Sequence, residues 1–311
     1  MIDILIAVIL DFILGDPYGF PHPVIYIGKF ISYLEEKGRK ICKTSKALKL
    51  LGLVIVILVC LVSFAIPYLI LRLTKPYFYI NHIINIGLLW TSLAATSLRK
   101  EGLKVYDSLI KGDIEDSRIK LSYIVGRDTE SLNREEIIRA DIETITENTA
   151  DGVIAPLLYG MIGGAPLAML YKGINTMDSM LGYVSPHYKD IGFFPAKVDD
   201  LANLIPARLT GFLFVLVSPL VKGNIIRSAR IMIRDRKNHK SPNCAYPEGA
   251  AAGALGIQLG GDNNYFGQVI KKPTIGEPVN KLEESHIQQA VVLMYSAEIL
   301  LIIVYMLLQI R

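Results

Sequence analysis

The sequence predicts an all-α, polytopic integral membrane protein: one membrane domain over residues 1–311, a helical bundle of about four to six membrane helices with polar loops. Three observations predict it. Hydrophobic residues make up 51% of the chain and mean hydropathy is +0.38, too apolar for a soluble domain of this length. Charged residues still make up 20%, too many for a chain buried wholly in lipid. Finally, long uncharged runs alternate with loops rich in Lys and Arg, the pattern that sets membrane topology.

Taken in order, residues 1–14 form a short apolar helix interrupted by Asp3 and Asp11, with no basic segment before it, and are not expected to be a cleaved signal peptide. GDPYGFPHP (15–23) cannot continue that helix, because its three prolines and two glycines break it. It is a Pro-rich connector, or a rigid turn that brings Asp16 and His22 to a site beside the membrane. Residues 24–36 are expected to form an amphipathic helix. Residues 37–49 hold Lys37, Arg39, Lys40, Lys43, Lys46 and Lys49 with no acid, which places this loop in the cytoplasm. Residues 50–71 are 22 residues without a charge, a membrane span, and 76–98 are expected to return across the bilayer. The segment 99–151 is then cytoplasmic.

Within it lies GRDTESLNREEIIRADIETITENTAD (126–151), dense in carboxylates although apolar runs flank it. On a helix Arg139, Glu143, Glu147 and Asp151, each four residues from the next, share one face, with Asn148 adjacent. Such acids suit a hard cation such as Mg²⁺ or a cationic amine; alternatively they are a solvated helix laced by local ion pairs. Residues 152–171 are uncharged but hold two prolines and four glycines. They form an inner helix or a re-entrant one. If they span, the polar segment 172–203 lies opposite the carboxylate stretch; if they re-enter, the polar clusters share one side. Residues 209–221 span only with help from 201–207, and the basic loop 222–240 is again cytoplasmic. SPNCAYPEGAAAGALGIQLGG (241–261) is small-residue-rich, for close backbone packing or backbone approach to a ligand. Residues 262–287 are a polar loop, and 290–310 a last apolar helix with one intramembrane acid, Glu298.

Three polar clusters result: Glu143, Glu147, Asn148 and Asp151; Asp178, Asp199, Asp200, Asn203 and Arg208; and Asp235, Arg236, His239, Ser241, Asn243 and Glu248. Carboxylates suit Mg²⁺, which takes one or two of them plus phosphate oxygens, and neighbouring Arg and His suit a phosphate. The expected ligand is a phosphorylated substrate with a divalent ion. No GxxxxGK[ST] loop, GxGxxG unit, GxSxG elbow or HExxH pair occurs. The three cysteines, Cys42, Cys60 and Cys244, are far apart and indicate neither a disulfide framework nor a zinc site. A net charge of +4, with its basic residues gathered in loops, does not describe a nucleic-acid binder.

LDFILGDPYGFPHPVIYIGKFISYLE (10–35), GRDT (126–129), ETITENTADGVIAPLLYG (143–160), YKGINTMDSMLGY (171–183), VDDLANLIPARLTG (198–211) and DRKNHKSPNCAYPEGAAAGALGIQLGG (235–261) together resemble the CbiB/CobD family of cobalamin-biosynthesis membrane proteins, the adenosylcobinamide-phosphate synthases. These blocks run in order over nearly the whole chain; the loops 99–125 and 262–280 are less distinctive. The resemblance implies condensation of adenosylcobyric acid with (R)-1-amino-2-propanol O-phosphate, or ethanolamine phosphate, by an ATP-dependent, Mg²⁺-using, amide-forming ligase. It implies a multi-pass protein of the cell membrane with its polar clusters facing the cytoplasm, in contact with the lipid bilayer and with other corrinoid-pathway enzymes. Expected catalytic residues are Glu143, Glu147, Asp200 and His239. Expected substrate and phosphate contacts are Asp16, His22, Arg127, Asn148, Asp178, Asn203, Arg208, Arg236, Asn243 and Glu248, and expected metal ligands are Glu147, Asp151, Asp199 and Asp200. A polytopic transporter for a corrinoid or a cation is the alternative, for which Glu298 and the broken segment 152–171 are suited; a catalytically silent relative is a third.

Overall fold

The structure, a computed structural model, describes every residue except Pro17, Tyr18, Phe20, Val184, Phe266, Gly267, Lys271, Ile310 and Arg311, with side chains left undescribed also at 263–265 and 268–270. The 15–23 turn and the end of the last helix therefore lie partly outside the described residues. The fold is all-α as expected, and among the described residues four helical stretches are long and apolar enough to cross a membrane: Ser45–Thr74, Arg134–Leu181, Leu204–Val221 and Ser285–Gln309. The chain divides into two compact units, residues 1–94 with 155–203, and residues 95–154 with 204–311.

In the first unit, α1 (Ile2–Leu14) packs on α4 (Phe78–Trp90), and α2 (Pro23–Ile41) runs along α3 (Ser45–Thr74). α2 starts where the sequence allows it: Pro23 needs no N–H partner at the first helical position, and His22 Nδ1 caps the helix by accepting from Val24 N at 3.2 Å. α3 is the expected span, extended at both ends and capped by Thr44, whose Oγ1 accepts from Ala47 N. Its buried stripe, Ile55, Val56 and Val59, meets Ile31 of α2 and Ile174, Met177 and Leu181 of α8 (Ala155–Leu181) in one apolar core. α9 (Phe193–Ala202) closes the unit against α3 and α8.

Two expectations change here. The return span expected over 76–98 is a helix of only 13 residues, Phe78–Trp90, about 20 Å against a hydrocarbon core of about 30 Å. The side chains of Thr91 and Ser92 bond back to the carbonyls of Gly87 and Leu89, and Trp90 Nε1 donates to Gly15 O, so the last turn is tied off before α5 begins at Ala95. And α8 is not straight. Gly163 and Gly164 leave helical geometry, Gly164 at φ +67°, ψ −163°. The rings of Tyr159 and Tyr171 stack at 5.1 Å, and a Cβ built on Gly160 would lie 3.8 Å from the Ala168 Cβ. In a straight helix residues 12 apart are about 18 Å apart. The segment 152–171 is thus a hairpin and not one straight helix: one arm to residue 162, a turn, and a second arm back from 165.

Only glycine occupies the backbone region of Gly164 without strain, so Gly164→Ala should cost about 1–3 kcal/mol. A lower midpoint of thermal unfolding in detergent is expected; an unchanged midpoint would speak against the turn.

In the second unit, α7 (Arg134–Thr149) is the carboxylate helix. Asn133 and Glu136 form a reciprocal capping box at its start, and five residues of wide π-helix, Ala150–Ile154, follow it. It packs against α5 (Ala95–Ile110), α6 (Ile114–Ser122), α12 (Ala245–Leu255) and α13 (Ser285–Gln309); α10 (Leu204–Val217) and α11 (Ile225–Asp235) also pack on α12. The small residues of α12 let α11 lie close, and Ser228 Oγ donates to Ala250 O at 2.7 Å. The polar loop expected over 262–287 in fact holds strands. β1 (Gln258–Gly260) pairs antiparallel with β4 (Thr274–Gly276), Leu259 opposite Ile275, and between them β2 (Asn263–Tyr265) pairs with β3 (Gln268–Ile270). Leu259 and Ile275 are buried; three-residue strands leave too little apolar alternation to stand out in the sequence.

Candidate functional site

Each unit gathers its own polar cluster. In the second unit the α7 face expected from spacing is present and not fully solvated: Glu143 is 7% exposed, and Arg139, Glu147 and Asp151 are half-buried. One oxygen of Glu143 pairs with Arg127, which the GRDT segment supplies; the other accepts from Gly260 N at 2.7 Å at the end of β1. A cation and an amide thus hold this carboxylate in place. One turn on, Glu147 Oε1 accepts from Cys244 Sγ at 3.0 Å. Burial, then the charge of Glu147, pushes the Cys244 thiol well up, so it stays a protonated donor.

Glu248, on α12, is 3% exposed. Burial first, and then the charges of Glu143 and Glu147, raise its carboxyl well above the usual range. One unit thus holds a carboxylate clamped by a cation near a buried acid whose carboxyl is pushed well up, an arrangement that suits acid and base roles. His239 lies in the same field. Burial lowers its pKa, against the opposing charges of Glu147 and Glu143, while Lys272 lowers it further. Its Nδ1 accepts from Ser241 N at 3.1 Å, so the neutral ring presents Nε2–H as a donor. Ser241 Oγ accepts from Asn243 N at 3.2 Å, and Asn243 Oδ1 accepts from Arg208 at 3.3 Å. The Arg208 guanidinium also donates to Leu204 O and lies 4.4 Å over the Tyr246 ring.

Other expected residues are placed differently. Asn148 Nδ2 donates back to Thr144 O at 2.9 Å. Asp151 is half-buried at the start of the π-helical turn. Arg236 is exposed and donates to Ile233 O on its own helix. Asp235 is a structural clamp: Arg234 chelates it, and its Oδ2 accepts from Gly276 N at 2.8 Å.

In the first unit the centre is Asp199, 8% exposed. Its Oδ2 accepts from Asn203 Nδ2 at 3.0 Å, and its Oδ1 is buried without a hydrogen bond. Burial, then the neighbouring charge of Asp178, raises its pKa to about 7. Asp178 Oδ1 lies where Gly182 would carry a side chain, only 2.0 Å from that Cβ position, so the glycine makes the room Asp178 occupies. Asp200 turns aside to Lys197 at 3.5 Å. His22 Nε2 and Asp16 Oδ1 are 3.4 Å apart, a pair that steadies the start of α2.

Among the described residues no group of three or more His, Cys, Asp or Glu side chains is gathered to hold a metal. A cation that relies on one or two carboxylates, with phosphate and water supplying the rest, is still accommodated. Asp199 offers it a buried oxygen, Oδ1, with the Asn175 side chain and Asp178 near the same carboxylate.

The sequence did not single out Tyr171, Cys244, Gly260 or Lys272. Tyr171 was hidden in an apolar run and Lys272 in the least distinctive loop; their neighbours come from segments far away in the chain.

The family model described as CobD/Cbib protein matches residues 4–294. Among curated relatives, the chain is 64% identical over 305 residues to the "Cobalamin biosynthesis protein CobD" of Clostridium acetobutylicum, covering 98% of this chain and 97% of the relative. It is 47% identical to the protein of the same name from Geobacter metallireducens, covering 96% and 94%. It is 44% identical to the "Cobalamin biosynthesis protein CbiB" of Salmonella typhi, covering 95% and 93%. No solved structure matches the chain.

Proposed function

The chain belongs to the CobD/CbiB family of cobalamin biosynthesis proteins, and from that premise we propose that it is the ligase joining a propionate carboxylate of adenosylcobyric acid to the amine of (R)-1-amino-2-propanol O-phosphate or ethanolamine phosphate. The product is adenosylcobinamide phosphate. The single observation that best supports an enzyme is the geometry around α7: Glu143 is clamped between Arg127 and Gly260 N, near the buried acid Glu248, whose carboxyl burial pushes well up.

A carboxylate does not accept an amine directly, because an oxide would have to leave. ATP transfers its γ-phosphoryl group to the carboxylate oxygen, giving an acyl phosphate and ADP. The amine, arriving as an ammonium, gives up one proton, attacks the acyl carbon, and inorganic phosphate leaves. Glu147 is the group to take the ammonium proton, since Glu143 is already engaged on both oxygens. Glu248 donates a proton to the departing phosphate and takes back the second proton that the attacking nitrogen sheds as the amide forms. His239 Nε2–H and Arg208 hold phosphate oxygens, with Arg139, whose Nε is buried and unbonded, as a further donor one turn before Glu143. Asp199, with Asp178 near it, would hold a Mg²⁺ ion, which would supply neutralisation of phosphate charge. We further propose a location in the cell membrane with these clusters on the cytoplasmic side, alongside other enzymes of corrinoid synthesis.

Detergent-purified protein with adenosylcobyric acid, aminopropanol phosphate, ATP and Mg²⁺ should yield a corrinoid heavier by the amine minus water in mass spectrometry. The yield should vanish without ATP. No product from intact substrates, together with corrinoid counterflow in proteoliposomes, would replace the ligase by a transporter.

A further inference from the structure

We infer that Tyr171 and Asn203 are positioning residues that aim one oxygen of Asp199 at a divalent cation; this rests on the Mg²⁺ role proposed for Asp199. Both are fully enclosed, Tyr171 at 0% and Asn203 at 1% exposure. The Tyr171 hydroxyl donates to Asn203 Oδ1 at 2.8 Å, and Asn203 Nδ2 donates to Asp199 Oδ2 at 3.0 Å.

The chemistry of this string allows one orientation. An amide oxygen only accepts and an amide nitrogen only donates. With its oxygen taken by Tyr171, Asn203 must turn its nitrogen to the carboxylate. The flipped amide would set oxygen against oxygen at Asp199, whereas the Tyr171 hydroxyl can accept as well as donate. The carboxylate thereby decides which way Asn203 faces, and Tyr171 holds the amide there by donating to its oxygen. Asn203 in turn covers Oδ2 and leaves Oδ1 as the oxygen of Asp199 without a hydrogen bond. Outer-shell groups that orient a ligating carboxylate are worth about 10–100-fold in metal affinity.

Tyr171 also belongs to the hairpin. Its ring stacks on Tyr159 of the other arm, and Tyr159 donates to Ala202 O at 3.1 Å, at the end of the helix that bears Asp199. Tyr159 therefore ties the same elements together without touching the carboxylate bond, which makes it the control.

The test is Mn²⁺ titration of purified full-length protein, followed by electron paramagnetic resonance of the free ion. Wild type should bind Mn²⁺ and Asp199→Asn should lose that binding. Tyr171→Phe and Asn203→Leu should weaken it about 10–100-fold. Tyr159→Phe should lower the thermal midpoint yet keep wild-type affinity. Wild-type affinity in Tyr171→Phe would overturn the positioning role and leave the cation site standing. An equal loss of affinity in Tyr159→Phe would overturn it too, by showing a general structural effect. No Mn²⁺ binding by wild type, or binding that survives Asp199→Asn, would overturn the cation site and the positioning role with it.

Discussion

Replacing Arg127 by methionine should destabilise the protein by about 3–5 kcal/mol, the cost of stranding one member of a buried ion pair. The side chains of Arg127 and Glu143 are each 9% exposed and bond directly. Without the guanidinium, Glu143 keeps only the Gly260 amide, with Glu147 one turn away on the same helix face. Glu143→Gln should also destabilise, because the buried guanidinium then loses its bond to a carboxylate. The double variant Arg127→Met with Glu143→Leu should regain much of the loss, since two apolar side chains need no pairing. Thermal and chemical unfolding in detergent measure all three. Single-variant losses under about 1 kcal/mol would mean that the pair behaves as a surface ion pair.

Asp199→Asn should move stability and turnover in opposite directions. The folded pKa of about 7 lies above the ordinary carboxylate value of 3.8. Below pH 3.8 the group is neutral folded or unfolded. Between 3.8 and 7 the unfolded chain gives up the proton and the folded chain keeps it, so the native state loses stability as pH rises. Above 7 that loss is complete. Asparagine removes the titration, so without added metal the variant should melt higher than wild type at pH 8 and differ much less at pH 4. Turnover should nevertheless fall at least about 10²–10³-fold, the scale on which a single charge-stabilising group acts. A variant with undiminished turnover would remove Asp199 from the reaction, and one that melts lower at pH 8 would contradict the burial argument.

Two particular stretches show how far local pattern reaches. The four-residue spacing of Arg139, Glu143 and Glu147 predicts a helix face, and α7 has one. That the face is not fully solvated is invisible in its composition, which reads as a solvated helix. Burial comes from α12 and the β1 end, more than 90 residues later in the chain. The segment 152–171 carries its breakers openly, yet an inner helix and a hairpin share that composition. What separates them is the backbone of Gly163 and Gly164 and the stacking of Tyr159 on Tyr171.

By itself the sequence determined the helical membrane class, the spans 45–74 and 285–309 to within a few residues, the family, and the acid-rich segments that supply the polar clusters. The class, the spans and the acid-rich segments follow from hydropathy and short-range spacing, which act along the chain; the family follows from the resemblance of its long motifs. Only the tertiary structure decided which carboxylates are anchored, pushed up by burial or left with an open oxygen. Glu143, Glu147 and Glu248 are the same residue type, and their differences come from Arg127, Gly260 N, Cys244 and depth of burial. The physical reason is that ionisation depends on solvation and on charges a few ångströms away, and those neighbours are brought from distant parts of the chain by packing.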